Sequence, residues 1–239
     1  FDDGFSECYH TIAPILDEFN IKATFFLTEK CIDNQDMIWR NKLLFIQSQW
    51  KEADAQEVKQ KFREAFQRDL GPSLLKSSND WPMAEKDAMA DFLWQESHLP
   101  PLAEYLDHEK PYLSEQQVFS LMNRGHHIGS HTYSHPFCGK LTKPEIDFEI
   151  IESAERLSQR FSFDCELFSY PFGSTVSPEM ERYVLDHSRL KILFGIEDDY
   201  DNKRMKPRWE RIVMEKTFDD SLYSFYVTPN IRKLSATGA

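Results

Sequence analysis

The sequence predicts an α/β fold in which short buried strands alternate with amphipathic helices. Residues 22–27 form an apolar run rich in strand formers, and similar runs recur at 166–170 and 191–196. Helical patterns separate these runs, and residues 114–117 and 142–145 fit capping boxes that begin two of the helices. Alternation of this kind implies a parallel sheet with crossover helices, either open or closed into a barrel.

The elements follow in order along the chain. A first helix is predicted over residues 6–19, where apolar residues recur at helical spacing, and Pro14 inside it is expected to bend it. The strand at 22–27 comes next. Gly125 ends the helix that begins at the first capping box. The remaining predictions are strands at 126–130, 166–170, 191–196 and 211–214, and helices at 142–161, 177–187 and 219–226.

Residues 32–111 differ in composition from the rest of the chain, because they are charged, show helical patterns and are interrupted by prolines. One apolar stripe includes Trp39 and Trp50, another includes Phe62, and a third helix is predicted over residues 81–97. Three helices without strands, set between β/α units, indicate a helical cap inserted into a single domain of residues 1–239. The aromatic residues of the cap are expected mainly to form its core.

Charge and composition exclude several classes of protein. Lys and Arg number 28 against 40 Asp and Glu, a formal net charge of −12, so a nucleic-acid partner is not expected. The sequence has no apolar run long enough to predict a membrane span. The four cysteines are isolated and are expected to be free thiols, which favours the cytoplasm. Because the chain begins at Phe1, we expect a fragment, and an upstream leader keeps localisation open; oligomeric state is not predicted.

Three polar clusters follow predicted strands or begin the chain. The first is Asp2-Asp3-Gly4, the second is the segment 129–136 with His131 and His135, and the third is the segment 168–173. Two histidines four residues apart can bind one metal ion if the backbone turns helically between them. The carboxyl ends of parallel strands are where both open sheets and barrels build their sites.

Each cluster alone also has an ordinary interpretation. Asp2-Asp3-Gly4 fits a solvated turn, His131 and His135 fit a chance spacing, and 168–173 fits a turn that ends a strand. Together, their order and spacing resemble the polysaccharide deacetylases, the family with the NodB homology domain that is also called carbohydrate esterase family 4. The matching segments are F-D-D-G at 1–4, G-H-H-I-G-S-H-T-Y-S-H at 125–135 and F-S-Y-P-F-G at 168–173.

The resemblance covers residues 1–31 and about 112–214, and it implies a distorted (β/α) barrel that hydrolyses an N-acetyl group on a glycan. By position, Asp3, His131 and His135 would hold a divalent metal, with Zn²⁺ expected. Asp2 would be the base that activates metal-bound water, and the metal with the backbone N–H of Phe172 would hold the oxyanion. The residues implied to bind substrate are Tyr170, Pro171 and Phe172.

The sequence departs from the family pattern in three ways. The strand expected before Phe1 is missing. Ser169 stands where the family has an arginine that orients the base, and Arg211 is the predicted substitute, with a surface ion pair as its ordinary interpretation. No histidine follows His187, so the family's general acid has no counterpart, and base-then-acid action by Asp2, another donor or weak activity all stay open.

Two classes of function therefore stay open. The first is a metal-dependent carbohydrate N-deacetylase, with hydrolysis of another non-peptide C–N bond on the same scaffold as its enzymatic alternative. The second is a non-catalytic glycan-binding relic, which the missing acid and arginine favour.

Overall fold

The computed structural model describes residues 1–196 and 208–211, and it has the predicted α/β organisation. Its sheet contains five parallel strands paired in chain order: β1 (Thr24–Leu27), β2 (His127–Ser130), β3 (Leu167–Ser169), β4 (Ile192–Gly195) and β5 (Arg208–Glu210). The strands have three or four residues each; β1, β2 and β3 are mostly buried, whereas Trp209 in the middle of β5 is exposed. The α/β prediction is confirmed, and the parallel pairing sends every carboxyl end to the same edge.

Ten α-helices lie within the described residues, several of them extended by π-helical or 3₁₀ turns. Their bounds are α1 (Ala13–Glu18), α2 (Trp39–Gln49), α3 (Glu52–Phe66), α4 (Leu74–Ser77), α5 (Lys86–Glu96), α6 (Leu102–Glu109), α7 (Glu115–Asn123), α8 (Lys143–Ile146), α9 (Ser153–Phe161) and α10 (Pro178–His187). A π-helical turn at Cys8–Ile12 precedes α1, and another at Asp147–Glu152 joins α8 to α9. No described helix is both long and apolar enough to cross a bilayer.

Helix ends follow the capping signals of the sequence. Ser114 and Thr142 each form the predicted capping box, at the starts of α7 and α8. Gly125 has a φ of +83° directly after α7, where its missing Cβ permits the left-handed backbone. The strand predicted at 211–214 is placed too far along the chain, because β5 ends at Glu210. Residues 212–214 and the predicted helix at 219–226 lie outside the described residues.

The segment 32–111 is helical, as its pattern indicates, but it contains more helices than predicted. The short helices α4 and α6 were missed, and the predicted helix at 81–97 begins only at Lys86. The segment has its own apolar core, in which Trp39, Phe62 and Leu93 are fully buried. The aromatic stripes of the sequence are therefore packing faces.

Two further core clusters lie on the sheet. One joins β1 and β2 to α7 and α9 through residues such as Phe25 and Leu121, and the other joins β3 and β4 to α9 and α10 through Phe168 and Val184. The N-terminal residue also contacts the sheet, because the backbone oxygen of Phe1 accepts a hydrogen bond from the Phe26 N–H at 2.8 Å. This contact brings the residues that follow Phe1 to the carboxyl end of β1.

We expect Gly129→Ala to destabilise the fold by about 1–3 kcal/mol, because the added methyl group must displace packed atoms. A Cβ at Gly129 would lie 2.5 Å from the Phe26 ring and 2.9 Å from the Leu167 carbonyl oxygen. The measurement is the free energy of unfolding in denaturant. Gly71→Ala is the control, since its nearest contact is the flexible Ser77 hydroxyl at 3.3 Å. Equal unfolding free energies for both variants would contradict this view of the sheet.

Candidate active site

Asp3, His131 and His135 meet at the carboxyl edge of the sheet. The Nε2 atom of His135 lies 2.9 Å from Asp3 Oδ1, and that of His131 lies 3.3 Å from the same oxygen. One ligand atom from each residue lies within 4.8 Å of the other two. One carboxylate oxygen and two imidazole nitrogens form a donor set that suits a divalent ion such as zinc.

Hydrogen bonding and burial orient Asp3 and the two histidines and favour the protonation states that bind a cation. His131 Nδ1 donates a hydrogen bond to the carbonyl oxygen of Ser169 over 2.7 Å, which leaves Nε2 as the ring nitrogen that faces Asp3. Burial lowers the pKa of His135, which favours the neutral imidazole that binds metals. Burial alone would raise the pKa of Asp3, but hydrogen bonds from both imidazoles hold it far below its usual range.

The backbone of residues 131–135 is a bend that follows β2, so the two histidines converge without the helical turn that their spacing alone would require. Thr132 and His135 have φ values of 69° and 60°, which side-chain-bearing residues rarely adopt. The Thr132 hydroxyl compensates in part, because it accepts a hydrogen bond from the His135 N–H at 2.9 Å. Both imidazoles therefore point to one place through two left-handed residues rather than through helical spacing.

A buried polar cluster fixes this bend from behind. Ser134, between the two histidines, donates its N–H to Glu149 at 2.8 Å and its hydroxyl to the same carboxylate. The Lys86 ammonium donates to the Ser134 hydroxyl at 2.6 Å and to Asp87 at 2.6 Å. Burial raises the pKa of Glu149, and the nearby charge of Lys86 offsets only part of that rise. The sequence did not predict these contacts, because they join residues that are far apart in the chain.

The helical segment adds a second restraint on the same bend. The Trp39 indole N–H donates to the carbonyl oxygen of His135 at 2.8 Å. On the opposite side, the N–H groups of Glu29 and Lys30 donate to the carbonyl oxygens of Thr132 and Tyr133, each at 3.1 Å. The ligand-bearing bend is therefore held by β1's following turn, by α2 and by the cluster around Ser134.

Asp2 is held separately from Asp3. Arg211, directly after β5, donates two hydrogen bonds to Asp2, one to each oxygen and both 2.7 Å long. Ser169 completes the group, since its hydroxyl accepts from Arg211 at 2.6 Å and lies 3.3 Å from Asp2. The structure therefore brings Arg211 to Asp2 from a different strand and puts the Ser169 hydroxyl between them.

The charge on Asp2 follows from this contact. Burial would raise the pKa of Asp2, but electrostatic interaction with His131 and the hydrogen-bonded guanidinium of Arg211 more than offset it and lower the pKa below the usual value. Two adjacent carboxylates thus stay ionised together because each has its own positive or hydrogen-donating partner.

The third predicted cluster lies beside the histidines. Phe172 has a φ of 55° and is 42% exposed, and its ring centroid lies 4.4 Å from that of His135. Gly173 follows at a φ of +64°, where a Cβ would lie 2.3 Å from Ile196. Tyr170 is 1% exposed with its ring packed on Phe168. Pro171 is buried and does not line the cavity described next, so Phe172 is the exposed member of the predicted substrate-binding trio.

A cavity of about 950 Å³ opens above these groups. Its wall includes Asp2, Asp3, both histidines, Arg211, Tyr170 and Phe172, together with the apolar side chains of Phe1, Phe5, Ile12 and Ile196. Such a volume is at the upper end for pockets that bind small molecules. Glu7 also lines the cavity and was missed by sequence analysis, although it lies only four residues after Asp3.

The fold and this arrangement define a hydrolase-type site with a candidate metal set. The sequence profile described as polysaccharide deacetylase matches residues 1–74 and 83–187. The chain therefore belongs to the polysaccharide deacetylase family, and the predicted enzyme class, a carbohydrate deacetylase, is confirmed. The profile match also runs through most of the helical segment, beyond the residues that carry the motifs. No curated protein sequence matches the chain significantly.

Solved structures of deacetylases share the fold. The deacetylase PplD of Streptococcus pyogenes, solved with acetate, is 12% identical with a TM-score of 0.53, over 94% of this chain and 67% of that chain. The BpsB deacetylase domain of Bordetella bronchiseptica is 10% identical with a TM-score of 0.52, over 88% and 68%. A de-N-acetylase of Aggregatibacter actinomycetemcomitans is 15% identical with a TM-score of 0.51, over 92% and 71%. At these identities the likeness concerns the fold alone.

We expect Ser134→Ala to weaken zinc binding about tenfold, because the hydroxyl that links Lys86 to Glu149 behind the histidines is lost. The measurement is the zinc dissociation constant, obtained by competition with a chromophoric chelator. Ser48→Ala is the matched control, since that hydroxyl is exposed on α2 and within the described residues bonds only the Phe45 carbonyl oxygen and the side-chain amide of its neighbour Gln49. A folded Ser134→Ala protein with unchanged zinc affinity would show that the cluster does not support the ligands.

Proposed function

We propose that the chain is a metal-dependent hydrolase that removes N-acetyl groups from a glycan, with a divalent ion, Zn²⁺ being expected, held by Asp3, His131 and His135. The observation that carries this proposal is the presence in one cavity wall of a three-ligand donor set beside a second carboxylate, Asp2, that a guanidinium orients. Three protein ligands leave coordination positions open, as catalytic zinc sites do. Membership of the polysaccharide deacetylase family supports the acetylated glycan as substrate.

In this proposal the ion supplies Lewis acidity toward water and the acetyl carbonyl group. Asp2 takes a proton from the attacking water as the water oxygen bonds to the carbonyl carbon. Its lowered pKa keeps it ionised and ready to do so at neutral pH. The two hydrogen bonds from Arg211 leave the carboxylate little freedom to rotate, so the accepting oxygen is positioned before the substrate arrives.

Phe172 is proposed to act through its backbone. Its N–H would donate to the oxyanion that develops on the acetyl oxygen, as backbone donors do in other acyl-transfer sites. The left-handed conformation of Phe172 and its position in the cavity wall support this role, because rare backbone conformations concentrate at functional sites.

Breakage of the C–N bond leaves an amine that needs a proton. In this proposal Asp2 returns the proton that it took from water, which yields acetate and the free amino sugar. Glu7 is a further carboxylate in the described cavity wall. Proton donation to the leaving group is typically worth about 10²–10⁴-fold in rate.

The proposal predicts zinc-dependent acetate release from N-acetylglucosamine oligomers. Asp2→Asn and His131→Ala should each lower kcat/KM by about 100-fold or more, since one removes the base and the other a ligand. The measurement is acetate release with zinc added and then chelated. Asp107→Asn, an exposed carboxylate on α6, is the control. Retained activity in both variants would refute the mechanism, and zinc binding without turnover of any acetylated glycan or other amide would favour the non-catalytic alternative.

A second prediction concerns pH. Arg211 lowers the pKa of Asp2, and the base must be ionised, so Arg211→Gln should move the acidic limb of kcat/KM to higher pH. Loss of the bidentate contact should also lower kcat by about 100-fold through misorientation. The full pH profile of both proteins tests this. An unshifted limb would mean that Arg211 does not control the ionisation of the catalytic base.

A further inference from the structure

Arg40, on α2, lies over Phe172, one of the residues that line the cavity. Its guanidinium lies 5.2 Å from the ring centroid of Phe172, 5.3 Å from that of Phe137 and 5.5 Å from that of Trp39. Phe172 in turn packs edge-on against His135. One aromatic ring therefore separates this cation from a candidate metal ligand.

Within the described residues, Arg40 is the partly buried arginine that lacks a carboxylate partner. It donates to Asn79 at 2.8 Å and to the Ser78 hydroxyl at 3.4 Å, both neutral groups. Burial lowers its pKa. The other partly buried arginines each contact a carboxylate: Arg124 with Asp17, Arg156 with Glu29, Arg160 with Asp33, Arg208 with Glu181 and Arg211 with Asp2.

A second cation lies on the same aromatic group. The Lys140 ammonium lies 5.4 Å from the Phe137 ring centroid and donates to the carbonyl oxygen of Asn79, the residue whose side chain binds Arg40. Lys140 is exposed and also forms no ion pair within residues 1–196 and 208–211. A guanidinium uses five N–H donors in a planar fork, so contacts with Ser78 and Asn79 leave donors free.

We propose that Arg40, assisted by Lys140, binds a negatively charged group, a carboxylate or a phosphate, on the sugar next to the N-acetylated sugar of the substrate. A guanidinium pairs with either group through two parallel hydrogen bonds. A sugar above Phe172 would bring its neighbour to these cations. The chain carries a net charge of −12, so an anionic glycan needs such a local positive site to approach Asp2 and Asp3.

This inference rests on the proposed deacetylase function, and the test separates the two. Acetate release is compared for three oligosaccharides: N-acetylchitotetraose, a tetrasaccharide of alternating N-acetylglucosamine and glucuronate, and a chito-oligosaccharide phosphorylated on the sugar next to the acetylated one. Arg40→Gln should lower kcat/KM about tenfold for at least one anionic substrate and change it less than about twofold for the neutral one. The anionic substrate that responds identifies the group, carboxylate or phosphate.

Three further variants separate binding from packing. Arg40→Lys should restore part of the loss because it keeps the charge, Lys140→Gln should act in the same direction but less, and Arg68→Gln, an equal loss of charge at an exposed position, should have no effect. If Arg40→Gln lowers kcat/KM equally for neutral and anionic substrates, Arg40 only supports Phe172 and the inference fails.

The inference is also tested if no substrate releases acetate. In that case the proposed function fails for these glycans, and calorimetry measures how tightly each oligosaccharide binds the zinc-loaded protein. Tighter binding of an anionic oligosaccharide that is lost in Arg40→Gln would support the subsite. Equal binding of all three, or binding that is insensitive to Arg40, would overturn it.

Discussion

The candidate site depends on the buried hydrogen-bonded cluster of Lys86, Ser134 and Glu149. Residues 131–135 include two left-handed positions, a conformation that costs free energy and persists only where the surroundings impose it. The cluster imposes it by binding both the N–H and the hydroxyl of Ser134. Removal of one member of a buried charged group typically costs about 3–5 kcal/mol, because its partner is left buried and uncompensated. The histidine geometry is therefore stabilised by charges that never touch the cavity.

Asp2 and Asp3, like the buried charges of that cluster, each need a partner that stabilises the ionised carboxylate. Carboxylates this close repel, and one of them would take up a proton if their surroundings were alike. Here Asp3 contacts the imidazoles and Asp2 contacts Arg211, so both pKa values are lowered although burial acts to raise them. In the proposed mechanism, Asp3 is therefore available as a metal ligand and Asp2 as a proton acceptor. Two roles arise from neighbouring residues because their contacts come from different strands.

Local signals were enough to predict most elements, including both capping boxes, the strands β1 to β4 and the helical character of residues 32–111. The donor set of Asp3, His131 and His135 was implied by the resemblance to the polysaccharide deacetylases. The rest depends on contacts that no local pattern records: Lys86 and Trp39 reach the histidine bend from distant helices, and Glu149 binds Ser134, two residues after the positive φ at Thr132. The short helices α4 and α6 are stabilised by the core of the helical segment more than by their own sequences.

The first residues of α2 contact both the histidine bend at 131–135 and Phe172. Trp39 and Arg40 are consecutive, so their side chains leave the helix in different directions. Trp39 points inward and binds the carbonyl oxygen of the candidate ligand His135, whereas Arg40 lies against Phe172. A displacement of this helix would therefore disturb both the bend at residues 131–135 and the Phe172 ring in the cavity wall. The helical segment is consequently part of the site's framework, and a change in its packing should alter metal binding and substrate contacts together.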